Sequence, residues 1–178
     1  MIQIEKLKKI REFSRKLHKN KDPAHDFSHV ERVAKLCENL AISKKCNMNL
    51  LLISAYFHGV LNREVEIRKF LNSLGYSREL IEKVITTVKN STLKPKTVEE
   101  KILHDSNLLD ALGAVGIARS FTKGGCENQT LSETLKILKE NMKRKMLTSK
   151  AKALANERRK FMEKFIKELE EELETSEY

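Results

Sequence analysis

Apolar residues recur along this chain at three- and four-residue intervals and almost nowhere in strict alternation, which is the spacing of a single buried helix face. Residues 2–19 put Leu7, Ile10, Phe13 and Leu17 on one stripe and predict a first helix, stopped by Asp22-Pro23. A second helix is expected from near Asp26 to about Lys45, with Val30, Val33, Cys37, Leu40 and Ala41 turned inward. Asn49 to Val60 is apolar nearly all round, as a central buried helix would be, with His58 deep inside it. Asn62 to Leu74 predicts the next helix, ended by Gly75. Ser77 is placed to N-cap another, whose core face carries Leu80, Ile81, Val84, Ile85 and Val88.

Pro95 breaks the pattern, and Thr97-Val98-Glu99-Glu100 reads as a capping box opening a helix through Leu112. Gly113 and Gly116 allow a tight reorganisation before Ile117 to Thr122, and Gly124-Gly125 predicts a loop. Gln129 to Met146 and Thr148 to Glu172 read as two long closing helices, the last with Leu154, Phe161, Phe165, Leu169 and Leu173 at helical spacing. The expected fold class is all-α, roughly seven to nine helices around a buried central one. A chain of 178 residues is long enough for one domain with its own core. That domain is expected over 1–178, with a basic N-terminal helix in 1–21, a long C-terminal helix in 148–174 and a tail at 175–178.

Composition narrows the class. No apolar run approaches the ~18 residues of a membrane span, and Met1-Ile2-Gln3-Ile4-Glu5-Lys6 lacks the apolar core of a signal peptide. Cys37, Cys46 and Cys126 are scattered, odd in number and without a CxxC. That excludes a disulfide framework and a thiolate zinc knuckle, and a reduced, cytoplasmic protein is expected. The formal charge is +10 but uneven: residues 1–21 hold eight Lys/Arg against two Glu, residues 139–160 nine against two, and residues 161–178 seven Glu against two Lys. Such a surface attracts phosphates, nucleotides or nucleic acid. No aromatic residues interleave the basic runs and no nucleic-acid motif occurs, so nucleic acid is the lesser partner.

The histidines carry the candidate chemistry. On a helix, His25, Asp26 and His29 could share a face, and two imidazoles one turn apart can hold a transition metal. The spacing is similar to the zincin HExxH with Asp in the Glu place, but no third ligand follows at a matching distance, which argues against a metalloprotease. His58, in an apolar segment, must find a carboxylate, a carbonyl or a metal. His104-Asp105 is a literal His-Asp pair.

Three ordered stretches resemble the HD superfamily of metal-dependent phosphohydrolases, in particular an uncharacterised bacterial and archaeal subgroup, over about residues 20–172. His25-Asp26-Phe27-Ser28-His29-Val30-Glu31-Arg32-Val33-Ala34 resembles its first motif. The run from Asp105 to Arg119 resembles D-A-D-R-L-D-A-L-G-A-I-G-I-A-R. Met146-Leu147-Thr148 with Ala155-Asn156-Glu157-Arg158-Arg159-Lys160-Phe161-Met162 resembles the C-terminal T…A-x-x-R-x-x-F-M signature. The resemblance implies one divalent ion, of Mn, Fe, Ni, Co, Mg or Zn, held by a first His, a His-Asp dyad and a later Asp. The ion activates water against a phosphoryl group that basic residues hold.

His29 and His58 then stand at the family's histidine positions. The dyad's Asp is replaced by Gly59, the late Asp by Asn107, the arginine after it by Leu108, and an extra His by Asn90. Both carboxylate ligands are absent from their positions, leaving metal positions His29, His58 and Asn107 and the possibility that no ion is held. Asp26 is the best retained carboxylate and the one catalytic candidate. Asp105 lies about 200° of helix from Asn107 and is expected to face away. Arg32, Arg119, Thr148 and Arg158 are the phosphate-binding candidates, with Arg159, Lys143, Arg144 and Lys145 adding charge. The expected ligand is a phosphorylated small molecule. The expected function is weak or absent hydrolysis with retained phosphate, nucleotide-type or partner binding. The competing reading is a working phosphohydrolase using His29, His58, Asp26 and waters. The sequence sets no oligomeric state.

Overall fold

The computed structural model describes residues 4–175. Residues 2–3 of the expected first helix and 176–178 of the expected tail lie outside them. The described residues form nine α-helices and no strand, so the chain is all-α. It divides into two compact units, Met1–Asn107 and Leu108–Tyr178.

The first unit is built on α1 (Ile4–Leu17), α2 (Phe27–Ala41), α3 (Met48–Phe57), α4 (Glu64–Ser73), α5 (Arg78–Leu93) and most of α6 (Val98–Leu109), with 3₁₀ turns at Pro23–His25 and Leu61–Arg63. Helix α3 is the expected centre and packs against α1, α2 and α5. Its Leu50, Ile53 and Phe57 join Ile10, Ile67, Leu71, Ile81, Val84, Ile85 and Val88 in one buried cluster. Burying a side chain of this size contributes roughly 1.5–3 kcal/mol. Side-chain caps set the starts: Asn47 Oδ1 accepts from Leu50 N at 3.0 Å, Ser77 Oγ from Leu80 N at 3.3 Å and Thr97 Oγ1 from Glu100 N at 3.2 Å.

Several helix ends differ from the periodicity: α2 ends at Ala41 and not near Lys45, α6 (Val98–Leu109) ends before Leu112, and the helix expected over Ile117 to Thr122 runs from Gly113 to Cys126. Helix α2 starts at Phe27 because Asp26 is its N-cap in extended conformation. Helix α3 stops at Phe57, so His58 is its C-cap and not an interior residue. Gly59 follows with φ +79°, a left-handed conformation that glycine adopts without a Cβ penalty and that commonly ends a helix.

The second unit contains α7 (Gly113–Cys126), α8 (Leu131–Lys143) and α9 (Ser149–Thr175). Helix α7 packs against α8 and α9. Thr130 and Glu133 form a reciprocal capping box that starts α8. Gly124-Gly125, expected as a loop, instead completes the last turn of α7. A Cβ on Gly124 would meet Thr134 Oγ1 of α8 at 2.3 Å, so glycine here admits a neighbouring helix. No described helix is long and apolar enough to cross a membrane.

Candidate functional site

The first unit brings His29 and His58 together. Asp22 caps the 3₁₀ turn by accepting from Ala24 N at 3.0 Å, with Pro23 inside the turn. Asp26 then caps α2, which puts His29 in the first turn of α2 with its side chain buried. His58 leaves the end of α3 with φ −63° and ψ 143°. The two Nε2 atoms are 3.0 Å apart, with ring planes inclined at 69°.

His58 Nδ1 lies 2.5 Å from the Ala55 carbonyl. A carbonyl only accepts, so His58 Nδ1–H donates to it and Nε2 is the nitrogen turned toward His29. His29 Nε2–H can then donate across the gap. The same separation is what two nitrogens bound at right angles to one ion at ~2.1 Å would show. Among the described residues, no group of three or more His, Cys, Asp or Glu side chains is arranged to hold a metal ion.

His18 supports the pair from behind and was not among the expected site residues. Its Nδ1 lies 2.9 Å from Ser14 O and its Nε2 3.3 Å from His58 O. Burial lowers its pKa, although both carbonyls favour the protonated ring. Its position one turn after buried Ser14, just past the end of α1, was the available signal.

His25 does not share a helical face with Asp26 and His29. It sits in the 3₁₀ turn, its Nδ1 2.9 and 3.0 Å from the Asp22 carboxylate oxygens, with its ring edge-on to His29 at 5.9 Å. Asp26 Oδ1 accepts from Ser28 N at 3.0 Å, Ser28 Oγ at 2.6 Å and His29 N at 3.3 Å. Burial pushes its carboxyl up, but these bonds and nearby Arg32 outweigh that and hold it below the usual aspartate value. Arg32 Nη1 donates to Ser28 Oγ at 2.9 Å, completing an Asp26–Ser28–Arg32 chain along α2.

On α6, Asp105 is fully buried and Asn107 is exposed, as their different faces require. His104 Nδ1–H donates to Ser91 O at 2.7 Å. Asn90 donates to Glu100 at 2.8 Å, and Glu100 also accepts from Lys96 N at 2.7 Å and Thr97 N at 3.0 Å. The residue at the extra-His position therefore serves a helix cap.

The remaining phosphate candidates belong to the second unit, where two are tied to structure. Arg119 Nη1 lies 3.1 Å from both Asp110 O and Asp110 Oδ2. Arg158 Nη1 donates to Leu109 O, and burial lowers its pKa against the pull of Asp110. Thr148 precedes α9 and accepts from Lys152 N at 3.0 Å through its carbonyl.

No family model matches the chain. It is 30% identical to the Lin1889 protein of Listeria innocua, whose solved structure aligns over 94% of this chain and 97% of that one with a TM-score of 0.77. It is 25% identical to the uncharacterized protein YpgQ of Bacillus subtilis, over 97% of this chain and 96% of YpgQ. The structure of YpgQ in complex with ADP aligns over 93% of this chain and 97% of YpgQ, with a TM-score of 0.79. An HD-superfamily hydrolase from Bacillus thuringiensis is 26% identical over 96% of this chain and 97% of its own, with a TM-score of 0.78.

Proposed function

Because this chain is an HD-domain protein, we propose that it is a phosphohydrolase-like member with a reduced metal centre, a single HD-type domain over 1–178 that binds a nucleotide-type phosphate ligand and hydrolyses it weakly or not at all. The observation that carries this reading is the His29–His58 pair, two imidazoles at 3.0 Å with no third His, Cys, Asp or Glu grouped with them among the described residues. Catalytic sites for ions such as zinc hold them with three protein ligands, and two imidazoles fall short of that set. The residues present therefore do not fit a resident divalent ion.

Gly59 and Asn107 stand where the family's carboxylates would be. The positive φ of Gly59 adds a backbone reason, since an aspartate there would adopt a conformation costing roughly 1–2 kcal/mol. Losses around metal sites cost ~10–100-fold each. Two of them, taken as independent, amount to about 3–5.5 kcal/mol.

The chain's own groups can still receive a phosphate. An Nε2–H turned from the neighbouring imidazole can donate to a phosphoryl oxygen, and Arg32 stands one turn further along α2. The ADP complex of YpgQ supports a nucleotide-type ligand. The second reading is a working hydrolase that recruits an ion through His29, His58, Asp26 and waters. The 3.0 Å nitrogen spacing favours it.

Metal content of protein purified without chelator, together with ADP calorimetry, separates the two. The reduced-centre reading expects sub-stoichiometric metal and metal-independent ADP binding that weakens in His29→Ala and Arg32→Ala. A stoichiometric ion, lost in His29→Ala and required for phosphate release, establishes the second reading instead.

A further inference from the structure

The junction of α8 and α9 carries a concentration of positive charge. Lys143, Arg144, Lys145, Lys152 and Arg159 line a concavity of about 440 Å³ with Met142 and Met146, and no carboxylate is among its lining residues.

The concavity rests on an ordered frame. Arg159 Nε donates to Met142 O at 2.7 Å, its Nη2 to Arg144 O and its Nη1 to Asn156 Oδ1 at 3.4 Å. One guanidinium thus ties the end of α8 and the loop that follows it to α9. Met146 is buried and anchors the far side of that loop. Arg144, Lys145 and Lys152 are exposed and carry no ion pair among the described residues. Lys143 pairs with Glu140, both largely exposed, and such a pair holds its charges weakly. Lys152 comes from the first turn of α9, so the positive end of a long helix adds to the field.

Five cations in one concavity repel one another and favour a compact polyanion that bridges them. The volume suits a small ligand. A nucleic-acid strand is the poorer match, because the lining contains no aromatic residue on which a base could stack. We propose that this concavity binds a linear oligophosphate, as the free chain or as the phosphate tail of a nucleotide, with Arg144, Lys145 and Lys152 as the contacting cations and Arg159 as the residue positioning the loop.

Calorimetry with inorganic tripolyphosphate on the full chain tests this. The expected result is saturable binding of one per chain that weakens with salt. Arg144→Glu with Lys145→Glu is expected to weaken it at least about tenfold, the loss of one to two charged hydrogen bonds. Lys8→Glu with Lys9→Glu on α1 makes the same change in net charge and should leave binding essentially unaltered. Circular dichroism and melting temperature check that the variants remain folded. ATP binding as tightly as tripolyphosphate means that only the phosphate chain is read, and tighter binding means that the nucleotide is the source; both outcomes fit. Non-saturable binding overturns the proposal. So does equal loss in the α1 variant, or displacement of tripolyphosphate by a single-stranded oligonucleotide at lower concentration through the same residues.

Discussion

Two stretches of this chain carry polar residues of the same kind to different ends. Where α2 begins and α3 stops, His29 and His58 are buried and turn their Nε2 atoms toward one another. Where α6 hands over to α7, buried Asp110 and the guanidiniums of Arg119 and Arg158 satisfy one another and the carbonyls of Leu109 and Asp110. The first arrangement joins two imidazoles from the ends of different helices. The second spends its donors and acceptors on holding the chain.

The strongest way to break this contrast is Arg119→Met. Asp110 and Arg119 side chains are 3% and 15% exposed, and removing Arg119 takes its ion pair from a buried carboxylate that then faces Arg158 alone of the two guanidiniums. A loss of about 3 kcal/mol is expected in urea unfolding, with little effect on ADP affinity once folded. A stable variant with ADP binding abolished would return Arg119 to the ligand.

Much of the fold was legible because its amphipathic helices repeat their apolar stripe. Helices α1 and α5 are each anticipated by such a stripe, and Ser77 and Thr97 announce their own caps; α9 forms where expected but buries Ala151, Ala155, Met162 and Ile166, leaving Phe161 of the expected stripe exposed. Helix α3 was harder to end. It is apolar on every side, so periodicity carries no stop signal, and the signal that exists is Gly59, which reads from sequence only as a missing ligand. The same glycine therefore has two meanings, a lost carboxylate by resemblance and a helix terminator by backbone. Gly124-Gly125 failed for the opposite reason: a glycine pair looks like a loop, and the approach of Thr134 that makes it helical is a tertiary fact. The convergence of His29 and His58, twenty-nine residues apart, is likewise tertiary and became legible only through family resemblance.

Glu100 sharpens the contrast with a carboxylate whose role is wholly structural. Burial raises its pKa, but the N–H groups of Lys96 and Thr97 and the Asn90 amide outweigh that and keep it below the ordinary glutamate value. Its folded pKa is depressed, so its stabilisation is present above the unfolded pKa and disappears as pH falls through the folded one. Glu100→Gln should cost about 1.5–3 kcal/mol at neutral pH, the worth of hydrogen bonds to a charged group. The difference from the parent should shrink below about pH 4. A difference that stays constant through acid would show that shape, and not charge, holds this cap.

Restoring the acidic positions tests the other side. Gly59→Asp should destabilise by roughly 1–2 kcal/mol through its positive φ, since an added Cβ meets nothing nearer than His18 Nε2 at 4.0 Å. With Asn107→Asp added, gain of a stoichiometric ion at that cost would place the defect in the ligands alone. The same stability cost without an ion would place it in the backbone at the end of α3.

The smallest effect is expected at His25, and it decides how far the histidine cluster extends. His25 is pinned by the Asp22 carboxylate, with side chains 41% and 32% exposed, and such a pair contributes about 0–1 kcal/mol. His25→Ala should therefore melt close to the parent and bind ADP unchanged, because the ring touches His29 only edge-on and turns its Nδ1 away to Asp22. A tenfold loss of ADP affinity at unaltered stability would mean that the ligand reaches the 3₁₀ turn, and that the boundary between committed and available groups runs through Asp22–His25 rather than behind it.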